Sequence, residues 1–234
     1  MAVQSVFTPE LALTCGQPVP ILFSSTLCKM AESTSSASPG SSSKKSPTLS
    51  SNVTLTIAPP ELDDVSAYIK RPGLVSYESF KGTDFAPKSI LDETLIMEKI
   101  SKTPHPHIIH YHGCRVHRGR ITGLVLERLD MTLTQYVNEP EFAQLNKAKF
   151  MEALESAIAY LHQLELAHND INPDNIMIRD ELAVLIDFGS CAPYGSGLQS
   201  LGSPGWYEEL FYTSEAKHDM YALNKMRTWL DNPE

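Results

Sequence analysis

One stretch constrains this chain more than any other, the 24 residues LAHNDINPDNIMIRDELAVLIDFG from Leu166 to Gly189. It opens with a polar loop, His168 to Asn175, in which Asn, Asp and Pro favour a tight turn. Ile176 to Ile178 form a short apolar strand, and Arg179 to Glu181 a charged turn. A second strand from Leu182 to Ile186 ends in Asp187-Phe188-Gly189. The two polar clusters thus follow in order and are joined by one hairpin-like connector.

His168-Asn169-Asp170 with Asn175, followed by Asp187-Phe188-Gly189, resembles the catalytic loop and metal-binding loop of protein kinases. The resemblance implies phosphoryl transfer, which asks a protein for positioning and charge neutralisation more than for covalent chemistry. It implies that Asp170 accepts or orients the proton of the attacking hydroxyl, and that Asn175 and Asp187 hold Mg²⁺. Mg²⁺ takes hard oxygen ligands and keeps several waters, so an amide oxygen and a carboxylate suffice beside the phosphates of ATP.

The resemblance extends from about residue 53 to the end. Ala67-Tyr68-Ile69-Lys70 is similar to the third-strand motif of the family, which makes Lys70 the ligand of the α- and β-phosphates, with Lys81 as the alternative. Glu93 falls where the family's helix glutamate pairs with that lysine. His105-Pro106-His107-Ile108 resembles the motif before the fourth strand. Leu126 then takes the gatekeeper position, and the hinge from Glu127 to Leu129 offers its backbone to adenine. Gly202-Ser203-Pro204-Gly205-Trp206-Tyr207 resembles the activation segment, with Glu208 or Glu209 as its closing glutamate. Asp219 resembles the aspartate that braces the catalytic loop. Met97, Tyr111, His168 and Phe188 correspond to the regulatory spine.

Four departures bear on activity. No Gly-rich loop precedes Lys70; the turn there is Ala58 to Asp64, where prolines remove donors and Glu61, Asp63 and Asp64 are expected to repel phosphate. Tyr68 stands where the family has a small alanine against adenine. Asn169 replaces the catalytic-loop arginine, and Asn172 replaces the lysine that neutralises the transferring phosphate. The chain ends at Glu234, shortly after Asp219, so the helical lobe is expected to be truncated. The missing arginine also removes the usual receptor for an activation-loop phosphate.

The remaining chain supplies the frame. Ser33 to Ser51 is dominated by Ser, Pro, Thr and Gly and cannot bury enough apolar area to order itself. Residues 1–52 are therefore expected to be a tail, with Met30 an alternative start. Val53 to Ile57 and Val65 to Lys70 read as strands, and a loop with Pro72, Gly73 and Gly82 follows. Pro87 to Ile100 reads as a helix. Ile108 to Val116 and Ile121 to Leu126 read as strands, and Leu133 to Val137 as a short helix. Asn146 to Gln163 reads as a helix with a stripe of Phe150, Leu154, Ala157, Ile158 and Leu161. The fold class is α+β, with a kinase-like β-rich lobe over 53–126 and a helical lobe over 127–234.

A formal net charge of −9 argues against nucleic-acid or anionic-membrane partners. Four scattered cysteines without a CxxC pair point to reduced thiols and an intracellular setting, which leaves the sequon at Asn52 idle. The histidines from His105 to His117, with Cys114, suit a partly exposed strand better than a zinc site, since no second ligand pair stands out. Three readings follow: an ATP- and Mg²⁺-dependent kinase acting on Ser/Thr of a protein; a pseudokinase serving as a binding module; and a small-molecule kinase of the aminoglycoside or choline type.

Overall fold

β-branched and aromatic residues build one antiparallel sheet in the order β1-β3-β2, with β1 Tyr68–Lys70, β2 Tyr111–His117 and β3 Arg120–Leu126. Lys70 lies opposite Leu124, and Tyr68 opposite Leu126. The computed structural model describes residues 54–72, 85–198, 200 and 202–233, with side chains from Lys88 onward in the helix that starts at Phe85. The chain divides into units 1–55 and 56–234, and the sheet and helices belong to the second. The Ser/Pro-rich tail, Met30, the loop with Gly73 and Gly82, and Lys81 lie outside the described residues.

Three strands differ from expectation. β1 starts at Tyr68 because the preceding residues are spent in a turn. The Asp63 carboxylate accepts from the N–H groups of Val65 and Ser66 and from Ser66 Oγ, each at 3.0 Å, and the Asp63 carbonyl accepts from Ala67 N. Short polar side chains compete in this way with a strand ladder. The segment before it makes a single parallel bridge, Ile57 to Cys114, on the edge of β2 that faces away from β3. Cys114 N donates to Thr56 O at 2.8 Å, and Ala58 N to Cys114 O at 3.0 Å. Gly113 permits this approach: a Cβ there would lie 2.7 Å from both Ala58 N and Thr56 O, and its φ is +126°.

Helix α1, Phe85–Ile100, packs Ile90, Ile96, Met97 and Ile100 into the core. β2 begins at Tyr111 rather than Ile108 because His107 and Ile109 exchange backbone bonds with Leu185 instead. The helical part contains α2, Leu133–Tyr136, closed by a capping box between Thr132 and Gln135. α3, Lys147–Gln163, starts from Asn146, whose side chain accepts from Lys149 N. All five residues of its expected stripe are buried. α4, Ala216–Asp231, buries Ala222, Leu223, Met226 and Leu230. Between α3 and α4 lie two short ladders. β4, Leu166–Ala167, pairs with β7, Ala192–Pro193, and β5, Ile176–Arg179, pairs with β6, Leu182–Leu185.

One apolar cluster runs from Met97 and Ile100 on α1 through Tyr111, Leu124 and Leu126 to Leu154, Ile158 and Leu185. Burying side chains of this size contributes about 1.5–3 kcal/mol each, before chain entropy is counted. It makes one rigid bed on which strand ends and loops can present polar groups.

Candidate active site

The loop from His168 to Asn175 is suspended from a buried carboxylate. Asp219 accepts from Asn169 N at 2.8 Å and from His168 N at 2.9 Å, and its Oδ2 contacts His162 Nε2 at 2.9 Å. The His168 ring bonds Ile186 O at 2.9 Å and meets Phe188 edge-on, with ring centres 5.2 Å apart. Met97, Tyr111, His168 and Phe188 are all buried. Asn169 sits at φ +64°, a conformation that asparagine tolerates better than most residues. Its amide donates to Ala167 O, Ser190 O and Ser214 Oγ within 3.0 Å, so the position of the family's arginine ties the loop to the activation segment.

Asp170 is held by three side-chain and backbone donors. Its Oδ1 accepts from Ser203 N at 2.7 Å and Asn172 Nδ2 at 3.0 Å, and its Oδ2 from Asn175 Nδ2 at 3.0 Å. A carboxylate has about four acceptor sites, so one remains for an incoming hydroxyl. Asn172 also donates to Ser203 Oγ at 3.0 Å, while its Oδ1 accepts from Asp174 N and Asn175 N. It fixes geometry where the family's lysine would add charge.

Lys70, Glu93 and Asp187 converge from β1, α1 and the loop after β6. Lys70 Nζ lies 2.7 Å from Glu93 Oε1 and 2.8 Å from Asp187 Oδ1. Burial opposes the lysine charge, but the two carboxylates outweigh it and hold its pKa above the ordinary value. Burial also pushes Glu93 up, an effect that Lys70 only partly offsets. Asp187 is the reverse: Lys70 and the Gly189 N–H overcome its burial and hold it low. Asp187 has φ +57° and ψ +84°, a strained backbone kept by its surroundings. A Cβ on Gly189 would lie 3.2 Å from Asp187 Oδ1, so a larger residue there would press on that carboxylate.

The ladder sets Asn175 beside Asp187. Ile186 N donates to Asn175 O at 3.0 Å, and Ile176 faces Leu185. Among the described residues, Asn175 Oδ1 and Asp187 Oδ2 have no hydrogen-bond partner. One neutral and one anionic oxygen at the end of one hairpin fit Mg²⁺, which retains waters for its remaining positions.

Leu126 ends β3 and is buried. Glu127 N donates to His110 O at 2.9 Å, and Arg179 clasps the Glu127 carboxylate at 2.7 and 2.9 Å. Leu129 packs against the main core. Among the described residues, neither Glu127 O nor Leu129 N has a backbone partner, which leaves an acceptor and a donor for a flat heterocycle. Tyr68 shares the Lys70 face of β1 by strand alternation and is 51% exposed.

The turn before β1 is less repulsive to phosphate than its composition suggests. Asp63 is engaged in its own turn, and Asp64 is gripped by Arg71 at 2.7 and 2.9 Å. Arg115 bonds Leu62 O, and Arg128 of the hinge bonds Asp64 O. Arg115 and Arg128 reach their partners across 53 and 64 positions and carry no local sequence signal. The Asp63-x-x-Ser66 turn did carry one, in the short polar side chains themselves. His110 and His112 stack edge-on, with ring centres 4.6 Å apart. Burial raises the thiol pKa of Cys114, to about 11, and of Cys191.

The protein kinase domain model matches residues 75–223, more than half of the chain. The chain is 30% identical over 111 residues to the probable serine/threonine-protein kinase mkcB of Dictyostelium discoideum, covering 46% of this chain and 16% of that protein. It is 29% identical over 153 residues to the cyclin-dependent kinase 4 homolog of Caenorhabditis elegans, covering 58% and 37%. With the serine/threonine-protein kinase PknG of Mycolicibacterium smegmatis it shares 27% over 111 residues, covering 46% and 15%. The chain therefore spans well under half the length of these relatives. The catalytic-loop geometry, the lysine–glutamate pair and the matched span agree that this chain belongs to the protein kinase family.

Proposed function

We propose that this domain binds ATP with Mg²⁺ and transfers the γ-phosphoryl group to a Ser or Thr hydroxyl of a protein substrate. The observation that carries the reading is the contact of Lys70 with both Glu93 and Asp187, at 2.7 and 2.8 Å, although three separate elements must fold to make it. Lys70 binds the α- and β-phosphates. The hinge from Glu127 to Leu129 takes the adenine edge, beneath Leu126. Bound Mg²⁺ supplies neutralisation of phosphate charge, and Asp187 with Asn175 would hold it. Asp170 orients the acceptor hydroxyl through its remaining acceptor site and receives its proton as the new O–P bond forms and the bond to ADP breaks. Ser203, bonded to both Asp170 and Asn172, brings the activation segment to the same point.

The catalytic unit in this reading comprises lobes 53–126 and 127–234, with 1–52 an appended tail. Its partner is a protein rather than a nucleic acid, given the net charge of −9. Two unpaired buried thiols, Cys114 and Cys191, favour an intracellular compartment. Among the described residues, no helix is long and apolar enough to cross a membrane.

A second reading is a binding module with little turnover. It is favoured by the course of residues 56–58, which follow the outer edge of β2 and leave β1 without a phosphate-covering hairpin from the residues just before it. Labelled phosphate transfer from ATP to Ser/Thr peptides separates the two. Transfer that falls by at least about 10²-fold in Asp170→Ala supports the enzyme, since positioned acid–base groups contribute on that order. Transfer equal in both proteins would contradict it.

A further inference from the structure

Three donors from outside α1 converge on one carboxylate of that helix. Glu98 Oε1 accepts from Thr56 N at 2.6 Å and from Tyr111 Oη at 3.0 Å, and its Oε2 accepts from Thr56 Oγ1 at 2.9 Å. Thr56 is itself fixed to β2 through its carbonyl and Cys114 N. Glu98 stands five residues after Glu93, about 7.5 Å along the axis at 1.5 Å per residue.

We propose that Thr56 and Glu98 form a clasp that sets the position of α1 and thereby holds Glu93 on Lys70. The inference rests on the reading of Lys70, Glu93 and Asp187 as a nucleotide site, and makes both residues positioning residues. A helix has to be fixed in rotation as well as in depth. Its apolar face, with Ile90, Met97 and Ile100, fixes depth in the core. Packing alone resists rotation weakly, because apolar contacts are not directional. The far end of α1 is tied to the helical part by Tyr160 Oη on Ile100 O at 2.9 Å and by Lys99 Nζ on Leu164 O at 2.6 Å. The Glu98 clasp adds a tie on the sheet side. With bonds on both sides, the helix end cannot turn, and Glu93 one and a half turns away is held at its lysine. Charge-assisted bonds to a carboxylate suit this role, being short and directional. The clasp also assigns a purpose to the segment before β1, which the family uses to cover phosphates and which here runs along β2.

Hydrogen exchange of the α1 amides without nucleotide, together with the ATP–Mg²⁺ dissociation constant, tests the clasp in the full chain. The variants are Glu98→Ala, Thr56→Val and Thr56→Ser. In Glu98→Ala, exchange over residues 90–97 is expected to quicken about tenfold and ATP affinity to fall about tenfold. Thr56→Val is expected to move both in the same direction by less, since its N–H remains, and Thr56→Ser to match wild type. Exchange in α3 serves as the control and is expected to stay unchanged. Unchanged α1 exchange in Glu98→Ala, or equal quickening in α1 and α3, overturns the clasp. A wild-type protein that binds no ATP contradicts the proposed kinase function and removes the nucleotide half of this inference. The exchange comparison then decides the helix-holding half by itself.

Discussion

Asn172 donates to Asp170 Oδ1 at 3.0 Å, so a neutral amide occupies the position from which the family's lysine reaches the transferring phosphate. In the proposed transfer the bond would keep the carboxylate aimed but add no positive charge where negative charge develops. Asn172 also caps the turn from Pro173 to Asn175 through its Oδ1. Asn172→Lys is therefore expected to trade the two effects. It should raise the transfer rate roughly tenfold, below the about 10²–10³-fold of a fully preorganised electrostatic donor, because a flexible lysine replaces an amide that holds the loop. It should lower stability by about 1 kcal/mol through the lost cap. Single-turnover kinetics and denaturant melts measure the two separately, and a variant that gains nothing in rate contradicts the assigned role.

Glu93 and Asp187 share one lysine but respond to pH in opposite senses. Glu93 has a raised pKa, so the folded state favours its protonated form. Its contribution to stability is full below the unfolded carboxylate value and is lost as pH rises through the folded one. Asp187 has a lowered pKa, so its contribution is present above the unfolded value and lost as pH falls through the folded one. At neutral pH the Glu93 charge costs stability while it organises the site. Glu93→Gln is thus expected to leave the unfolding midpoint at pH 7 equal or higher, with Lys70 still paired to Asp187. ATP affinity should drop about tenfold, equivalent to 1.4 kcal/mol. A large loss of stability at pH 7 would contradict the sign.

Asn169 serves as a fixed latch where the family keeps a phosphate-binding arginine. Its amide reaches three acceptors on the loop and the activation segment. Asn169→Ala strands these buried groups and should cost about 2–3 kcal/mol of stability. Acidic substitutions at Ser196, Ser200 or Ser203 are expected to leave activity flat or lower it. Ser200 bonds Ser190 at 2.8 Å, and Ser203 bonds Asn172 at 3.0 Å. A several-fold rise in transfer for any of the three would overturn the latch.

The β5–β6 hairpin turns through Asp180 and Glu181, both left-handed, at φ +50° and +61°. That conformation suits Asn-Gly far better than Asp-Glu. Replacing the pair by Asn-Gly should stabilise the protein by about 1 kcal/mol without altering nucleotide binding, since the turn lies at the end of the hairpin opposite Asn175 and Asp187. A calorimetric midpoint that falls would show that the two side chains have contacts that outweigh the strain.

Some of this architecture was legible in the sequence and some was not, for identifiable reasons. The catalytic loop, the hairpin and Asp187-Phe188-Gly189 are local, so spacing alone places them. α3 was legible because its apolar residues recur at helical intervals. Lys70 and Glu93, 23 positions apart, came through resemblance, and the structure sets them 2.7 Å apart. The path of Ile57 along β2 was hidden, because a lone strand pattern does not say which sheet edge it will join. The short start of β1 was hidden because the Asp63 side chain claims backbone donors that a strand pattern assigns to a ladder. Glu98, Arg115 and Arg128 act through long-range contacts, and their spacing carries no trace of them.

The most direct test of the central claim is thermal and denaturant stability with ATP, with and without Mg²⁺, for wild type and Asp187→Asn. A ligand at about 100 times its dissociation constant adds about 2.7 kcal/mol of stability. A Mg²⁺-dependent gain of that size in wild type, shrinking in Asp187→Asn, is the predicted result. A folded wild-type protein that gains nothing from ATP and Mg²⁺ would contradict it, and would leave the Lys70, Glu93 and Asp187 cluster as architecture alone.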